Sequence, residues 1–377
     1  MKFFHSYFFA TLVSVCSTTV LAETILKDPA SVAPFQLCFT AAGDAPWPQD
    51  FVTSTQTLPF CLDQNLTMHR YNALTSFEKD FFVAVAMWQY YFNSSYTVRI
   101  NTVFSSVGAR FGGDALPGGS KNETVTLSDG TTQAVTVYYP SALGTLRGQN
   151  TGQPEDILVT ITGEVPSSGH GLDYCVDTTP TLSQRHCVPN RKIRDAVSLL
   201  LHELNHGYGI KTLRGRKADN YGDFESNKIS TFDYETNNGG NYHDLLNNYA
   251  NYFTPADQHP IVFTGKSTMH YLSQAGASPY LTICNVAPGD PSYTQNFMHY
   301  CTGDCEHPLL MGGLWCLSKA PKAPYRVSME SVDLHVLSDL GYTPVLKTKT
   351  VVKDLRETLF NAVQQPKPDA NTGHMTG

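Results

Sequence analysis

Residues 200–209 read Leu200-Leu201-His202-Glu203-Leu204-Asn205-His206-Gly207-Tyr208-Gly209. Three of these side chains are of the types that handle a divalent metal and a proton. A spacing of four puts His202 and His206 on one face of a helix, where two imidazoles can grip one ion. Glu203 projects beside them. From there it can take a proton from a metal-bound water and pass it to a leaving amine. Zinc suits this donor set: it lowers the pKa of a bound water towards roughly 7 and polarises a carbonyl. The implied chemistry is hydrolysis through a zinc-activated water, with Glu203 as general base.

The bland alternative is a surface helix with two unrelated histidines. Three features weigh against it. The motif sits in a strongly apolar helix, the chain begins like an exported one, and Gly209 lies three residues after His206. A catalytic zinc needs a third protein ligand. The extended form of the motif would place it at 212, but that residue is Thr212. The ligand therefore comes from further on. His243, His259, His270, His299, His307 and His335 are the downstream histidines before the tail, and Asp and Glu are also open.

The elements that must position these groups are partly readable. Arg191 to about Tyr208 reads as a helix buried through Ala196, Leu199, Leu200 and Leu204, with Gly207 and Gly209 as a stop. Thr75-Ser76-Phe77-Glu78 has the capping-box pattern and opens a second helix with Phe77, Phe81, Phe82, Val85 and Trp88 at helical spacing. Tyr96 to Phe104, Ala134 to Tyr139 and Ile157 to Ile161 have the β-branched content of strands. Gly112 to Thr132 is rich in Gly, Ser and Asp and reads as loop. Residues 23 to about 70 are Pro-rich and poorly periodic, and residues 211 to 240 show no clear period. Ser328 to Leu340 reads as a helix ended by Gly341. Within the tail, Val351 to Val363 is amphipathic and the polar remainder is expected to be disordered.

The chain has 377 residues, 41% of them apolar and 16% charged, so a sizeable core is expected. Lys plus Arg number 26 against 33 Asp plus Glu, a formal charge of -7. That average argues against a duplex-binding surface, and no nucleic-acid partner is expected. Lys2, the apolar run Tyr7 to Cys16 and Val20-Leu21-Ala22 form a signal-peptide pattern with Glu23 as the first mature residue. No stretch approaches the roughly 20 apolar residues of a membrane span. Cleavage removes Cys16 and leaves Cys38, Cys61, Cys175, Cys187, Cys284, Cys301, Cys305 and Cys316. An even count in an exported chain suggests disulfides. Closeness in sequence favours Cys38 with Cys61 and Cys175 with Cys187. Cys301-x-x-x-Cys305 as a zinc or redox motif is the minor alternative.

The sequence resembles the leishmanolysin-like branch of the metzincin zinc metalloproteases. That branch also carries H-E-x-x-H-x-x-G, a third histidine delayed by a long insertion, a methionine turn, and a closing helix with D-L-G-[WYF]. Here His299 is followed by Pro308-Leu309-Leu310-Met311-Gly312-Gly313, then by Val332 to Val336 and Ser338-Asp339-Leu340-Gly341-Tyr342. His299 stands 12 residues before Met311. Within the insertion, Ser230-Thr231-Phe232-Asp233 and Val262-Phe263-Thr264-Gly265 are family-like. The likeness spans roughly residues 95 to 343 and is diffuse outside the two motif blocks. Departures are Cys301 after Tyr300, Asn205 where small or apolar residues are usual, and cysteines crowding the methionine turn.

The resemblance implies His202, His206 and His299 as zinc ligands, Glu203 as general base, and Met311 packed beneath the metal. It implies an α+β fold: a twisted mixed sheet, a long active-site helix, and a C-terminal subdomain with the methionine turn. An extended protein or peptide substrate would add to the edge strand of the sheet, for which Ile157 to Thr162 is the candidate. Metzincin pro-segments can block zinc with a free cysteine, a role open to Cys38 or Cys61. The expected organisation is 1–22 signal peptide, 23–74 N-terminal segment or pro-segment, 75–343 metallopeptidase domain and 344–377 tail. The expected protein is a secreted monomeric zinc metalloendopeptidase, extracellular, or periplasmic if bacterial. Its rivals are a zinc-containing surface-binding or adhesin protein with a degenerate peptidase domain, a metal-free disulfide-stabilised exported protein, and a zinc amidase acting on cell-wall peptides.

Overall fold

The structure is a computed structural model. It describes residues 23–41, 46–47, 51–52, 57–105, 112–126, 130–162, 173–175, 193–217, 220–224, 228–236, 262–274, 276, 281–283, 300, 310–311, 331–345 and 355–361. These form an α+β fold around a five-stranded mixed sheet.

The first strands are β1 (Phe35–Phe39) and β2 (Phe60–Asp63), followed by the short helix α1 (Met68–Asn72). Phe35, Leu37 and Phe39 alternate towards the core, so a segment without long-range periodicity still makes a strand. Cys38 and Cys61 lie opposite each other in the β1–β2 ladder and are joined by the expected disulfide. Neither can then serve as a free metal-blocking thiol. Cys187 lies outside the described residues.

Helix α2 (Ser76–Gln89) starts as the sequence predicts: Thr75 Oγ1 accepts from the Glu78 amide, and the Glu78 carboxylate accepts from the Thr75 amide. It is buried nearly all round rather than on one face. Strands β3 (Val98–Ser105) and β4 (Gly112–Ala115) follow, then the hairpin of β5 (Pro117–Thr126) and β6 (Thr132–Pro140), helix α3 (Ser141–Leu146) and strand β7 (Ile157–Thr162). The loop predicted over Gly112 to Thr132 is thus mostly strand. Its ladders are made by backbone groups, and a glycine- and serine-rich segment can pair without supplying apolar side chains.

The sheet order is β2-β1-β3-β7-β4, with β1, β3 and β7 parallel and β2 and β4 antiparallel to their neighbours. Among the described residues the edges are therefore β2 and β4, and not Ile157–Thr162 as the sequence suggests. Strand β7 has a strand on either side, and Ile157, Val159 and Ile161 are fully buried on the face against which α4 packs. A continuous β-branched run marks an interior strand better than an edge.

After β8 (Asp173–Cys175) and β9 (Ile193–Asp195) comes α4 (Ala196–Gly207), which begins five residues later than predicted because Ile193–Asp195 is extended. Helix α4 packs against α2, β4 and β7. Trp88 of α2 donates its indole N–H to Leu201 O at 3.0 Å, and Gln89 donates to the Tyr208 hydroxyl at 2.7 Å. Burial raises the Tyr208 pKa, so its phenol stays neutral.

Beyond α4 the chain forms β10 (Arg214–Lys217), β11 (Asn220–Phe224), β12 (Lys228–Ser230) and α5 (Thr231–Thr236). Strand β12 pairs in parallel with β6 and completes a second sheet, β12-β6-β5. Further on, the helices Lys266–Gln274 and Ser331–Asp339 pack together. Asp339 caps the first of them by accepting from the Ser267 and Thr268 amides at 2.8 and 2.9 Å. The Tyr342 hydroxyl donates to Tyr208 O at 2.7 Å, fastening the end of the second helix beside the end of α4.

Candidate active site

Helix α4 directs Val197, Leu200, Leu201 and Leu204 into the core and keeps His202, Glu203 and His206 at 9, 6 and 6% exposure. The two imidazole rings stand perpendicular, with centroids 4.8 Å apart. Their Nδ1 atoms have equivalent partners from different places. His202 Nδ1 lies 2.6 Å from Leu310 O, and His206 Nδ1 lies 2.7 Å from Ile210 O.

A carbonyl oxygen only accepts, so each Nδ1 must carry the proton. A neutral ring bonded in this way keeps its lone pair on Nε2, the tautomer that ligates metal, and is held in orientation by the outer bond. This donor chemistry fits a zinc ion on His202 and His206.

Glu203 is held from the sheet. The amide of Gly113 in β4 donates to its Oε2 at 2.9 Å. In an antiparallel pair, successive residues turn their N–H and C=O alternately towards and away from the partner. The Gly113 N–H goes to Glu203, so this residue faces the open side of the edge strand and not β7. Only glycine fits there, because a Cβ at 113 would stand 1.7 Å from Glu203 O. Gly207 is similarly close to β7, with a Cβ position 2.3 Å from Ile157 Cγ2. Gly209 ends the helix at φ +113°.

Met311 is fully buried, and its carbonyl accepts from the Tyr300 amide at 2.7 Å. Tyr300 also bridges Ile283. The segment at Leu310 and Met311 thus touches His202 on one side and the residue after His299 on the other. His299 itself lies outside the described residues, as do His243, His259 and His307. His270 and His335 are described and are engaged elsewhere. His270 pairs with Gln274, while His335 bonds Ser267 and stacks on Tyr271 at 4.7 Å. Among the described residues no group of three His, Cys, Asp or Glu side chains could hold a metal, so neither completes the set. Thr212 is part of no such group; its hydroxyl donates to Asp233 at 2.7 Å.

Sequence reasoning did not find Gly113, Ile210, Leu310 or Asp233. The carbonyl donors leave no trace in side-chain pattern. The Gly112-Gly113 pair and the Ser230-x-x-Asp233 capping spacing were the available signals. No family model, curated protein or solved structure matches the chain.

Proposed function

We propose that the chain is a secreted zinc-dependent metalloendopeptidase of the leishmanolysin-like metzincin type. The observation that carries this reading is the pair of Nδ1-to-carbonyl bonds, which leave both histidines of the H-E-x-x-H motif in the metal-ligating tautomer. His202, His206 and His299 would hold the ion. When bound, zinc supplies Lewis acidity towards the scissile carbonyl and towards water.

The chain's own groups do the rest. The open side of β4 receives an extended peptide by main-chain hydrogen bonds. Glu203, oriented by the Gly113 amide at that same edge, accepts a proton from the attacking water and returns it to the leaving nitrogen. The Leu310 carbonyl supports His202, and Met311 is buried next to it in the chain. The Cys38–Cys61 disulfide suits an oxidising compartment. Among the described residues no helix is long and apolar enough to cross a membrane.

The test is cleavage of unfolded casein by the purified chain, with Glu203→Ala and a zinc chelator as controls. We expect cleavage by the wild type, and loss of it in both controls with zinc retained in Glu203→Ala. Cleavage that survives Glu203→Ala refutes the mechanism. Bound zinc without cleavage of any protein substrate moves the reading to the non-catalytic surface-binding protein. Cleavage of peptidoglycan peptides but not casein moves it to the amidase.

A further inference from the structure

Residue 212 is where an uninterrupted motif would supply a metal ligand, and its side chain is engaged in a different task. Asp233, only 1% exposed, accepts hydrogen bonds from Thr212 Oγ1 at 2.7 Å, the Leu213 amide at 2.8 Å and the Ser230 amide at 3.1 Å. Bonds to a buried carboxylate are charge-assisted and strong. The single Ser230 hydroxyl proton has two acceptors in reach, Lys211 O at 2.6 Å and Asp233 Oδ2 at 2.8 Å, and the oxygen accepts from the Asp233 amide at 3.0 Å. The acid therefore grips residues 212 and 213, and the Ser230 hydroxyl stands between it and Lys211 O.

The grip has a firm base. Asp233 lies in the first turn of α5, directly after β12, and β12 is paired with β6. Its neighbour Phe232 is fully buried and stacks on Phe263 at 5.5 Å. On the other side of the gripped residues stands Ile210. It is fully buried, its amide bonds Asn205 O at 3.3 Å, and its carbonyl receives His206 Nδ1. Only Lys211 and Thr212 lie between Ile210 and Leu213, which leaves little slack, so the position of Ile210 O depends on where Asp233 holds 212 and 213.

We infer that Asp233 is a positioning residue for the metal site: through residues 210–213 it fixes the carbonyl that orients His206 and selects its tautomer. The inference rests on the metallopeptidase reading for its consequence, though the contact to His206 can be read without metal. Outer partners of ligating histidines typically account for about 10–100-fold in metal affinity, and Asp233 sets the outer partner of His206.

The test uses the full mature chain as wild type, Asp233→Asn and Thr212→Val. Zinc affinity is measured by competition with a chromophoric chelator, and folding by circular dichroism and thermal melting of the metal-free protein. The Nδ1–H signal of His206 is followed by proton NMR in metal-free protein. Asp233→Asn places an amide N–H₂ where an acceptor is needed, and should weaken zinc about 10–100-fold while the fold persists. Thr212→Val removes one bond and should weaken it about 2- to 10-fold. In both, the His206 Nδ1–H should exchange faster with solvent. Unchanged zinc affinity in folded Asp233→Asn overturns the inference. If that variant does not fold, Thr212→Val decides: a weaker site with an unshifted melting temperature supports positioning, and an unchanged site overturns it. A wild type that takes no zinc removes the hydrolytic reading. The His206 Nδ1–H signal then judges the clamp alone, and equal exchange in all three proteins sinks it.

Discussion

His206 and His202 sit one turn apart on the same helix, yet they are supported in opposite ways. The partner of His206 is Ile210, four residues on; the partner of His202 is Leu310, 108 residues on. The first support forms as soon as α4 ends and turns at Gly209. The second waits for the distant segment at Leu310 and Met311 to dock. The N-terminal half thus supplies a helix, an edge strand and one oriented histidine. The second histidine acquires its orientation only when the far part of the chain arrives. A site built this way cannot be complete in a partly folded chain, because closing the long loop comes after the local contacts.

The sharpest way to separate ligand support from base support is Gly113→Ala. The added Cβ would meet Glu203 O at 1.7 Å and must push β4 off the helix, while both histidines keep their partners. Proteolysis should fall by roughly 100-fold or more with zinc still bound. Normal turnover would show that β4 does not hold the base. Next, Met311→Ala attacks the remote support. It should lower stability by about 2–4 kcal/mol in denaturant titration and weaken zinc as His202 loses its backing. A stability loss with unaltered zinc affinity would leave Leu310 without a supporting role.

Native-state hydrogen exchange measures the asymmetry directly. The Tyr300 amide, bonded to Met311 O, should open at roughly 1–3 kcal/mol less than the Tyr208 amide, bonded to Leu204 O. Equal protection would make the two halves one cooperative unit. Thr75→Ala removes the cap of α2, the helix that packs against α4. It should cost about 1 kcal/mol and leave zinc affinity untouched.

The smallest effect concerns His335. Burial lowers its pKa, as does His270 more weakly, against a raising influence of Asp339. A depressed histidine takes up its proton later in the folded state than in the unfolded one. Its contribution is therefore intact above about pH 6.5 and declines as pH falls below that value. Comparing urea midpoints of wild type and His335→Gln from pH 7 to pH 5 should show a slightly flatter profile for the variant. Parallel profiles would remove His335 from the pH dependence.

How much was legible in the sequence follows the same division. The roles proposed for His202, Glu203 and His206 are read from their side chains and spacing, and the capping box at Thr75 and the disulfide at Cys38 depend on local pattern. Their supports are main-chain atoms of Ile210, Leu310 and Gly113, and a backbone carbonyl looks alike at every position. Strand β4 was read as loop because Gly112 and Gly113 lack the bulk that marks a strand. The physical need there is the reverse, since nothing larger than hydrogen fits against α4. Strand β1 was hidden by the prolines around it, although Phe35, Leu37 and Phe39 alternate. The sequence of β7 reads as strand more strongly than that of β4, yet strength of pattern does not say which strand lies at an edge. Asp233 was visible only as part of a family-like tetrapeptide, with nothing to say that it reaches back to Thr212.

Leu26 pairs with Phe360, and the Asn361 amide donates to Ile25 O at 2.9 Å. Topologically, the described chain is nearly a ring. A short linker could join position 361 to position 24, and new ends could be opened at the hairpin turn between β5 and β6 without cutting α4, β4 or the grip of Asp233. In such a permuted chain α4 and the residues of 300–311 would both be made before β4, so the two histidine supports would be complete before the strand that holds Glu203.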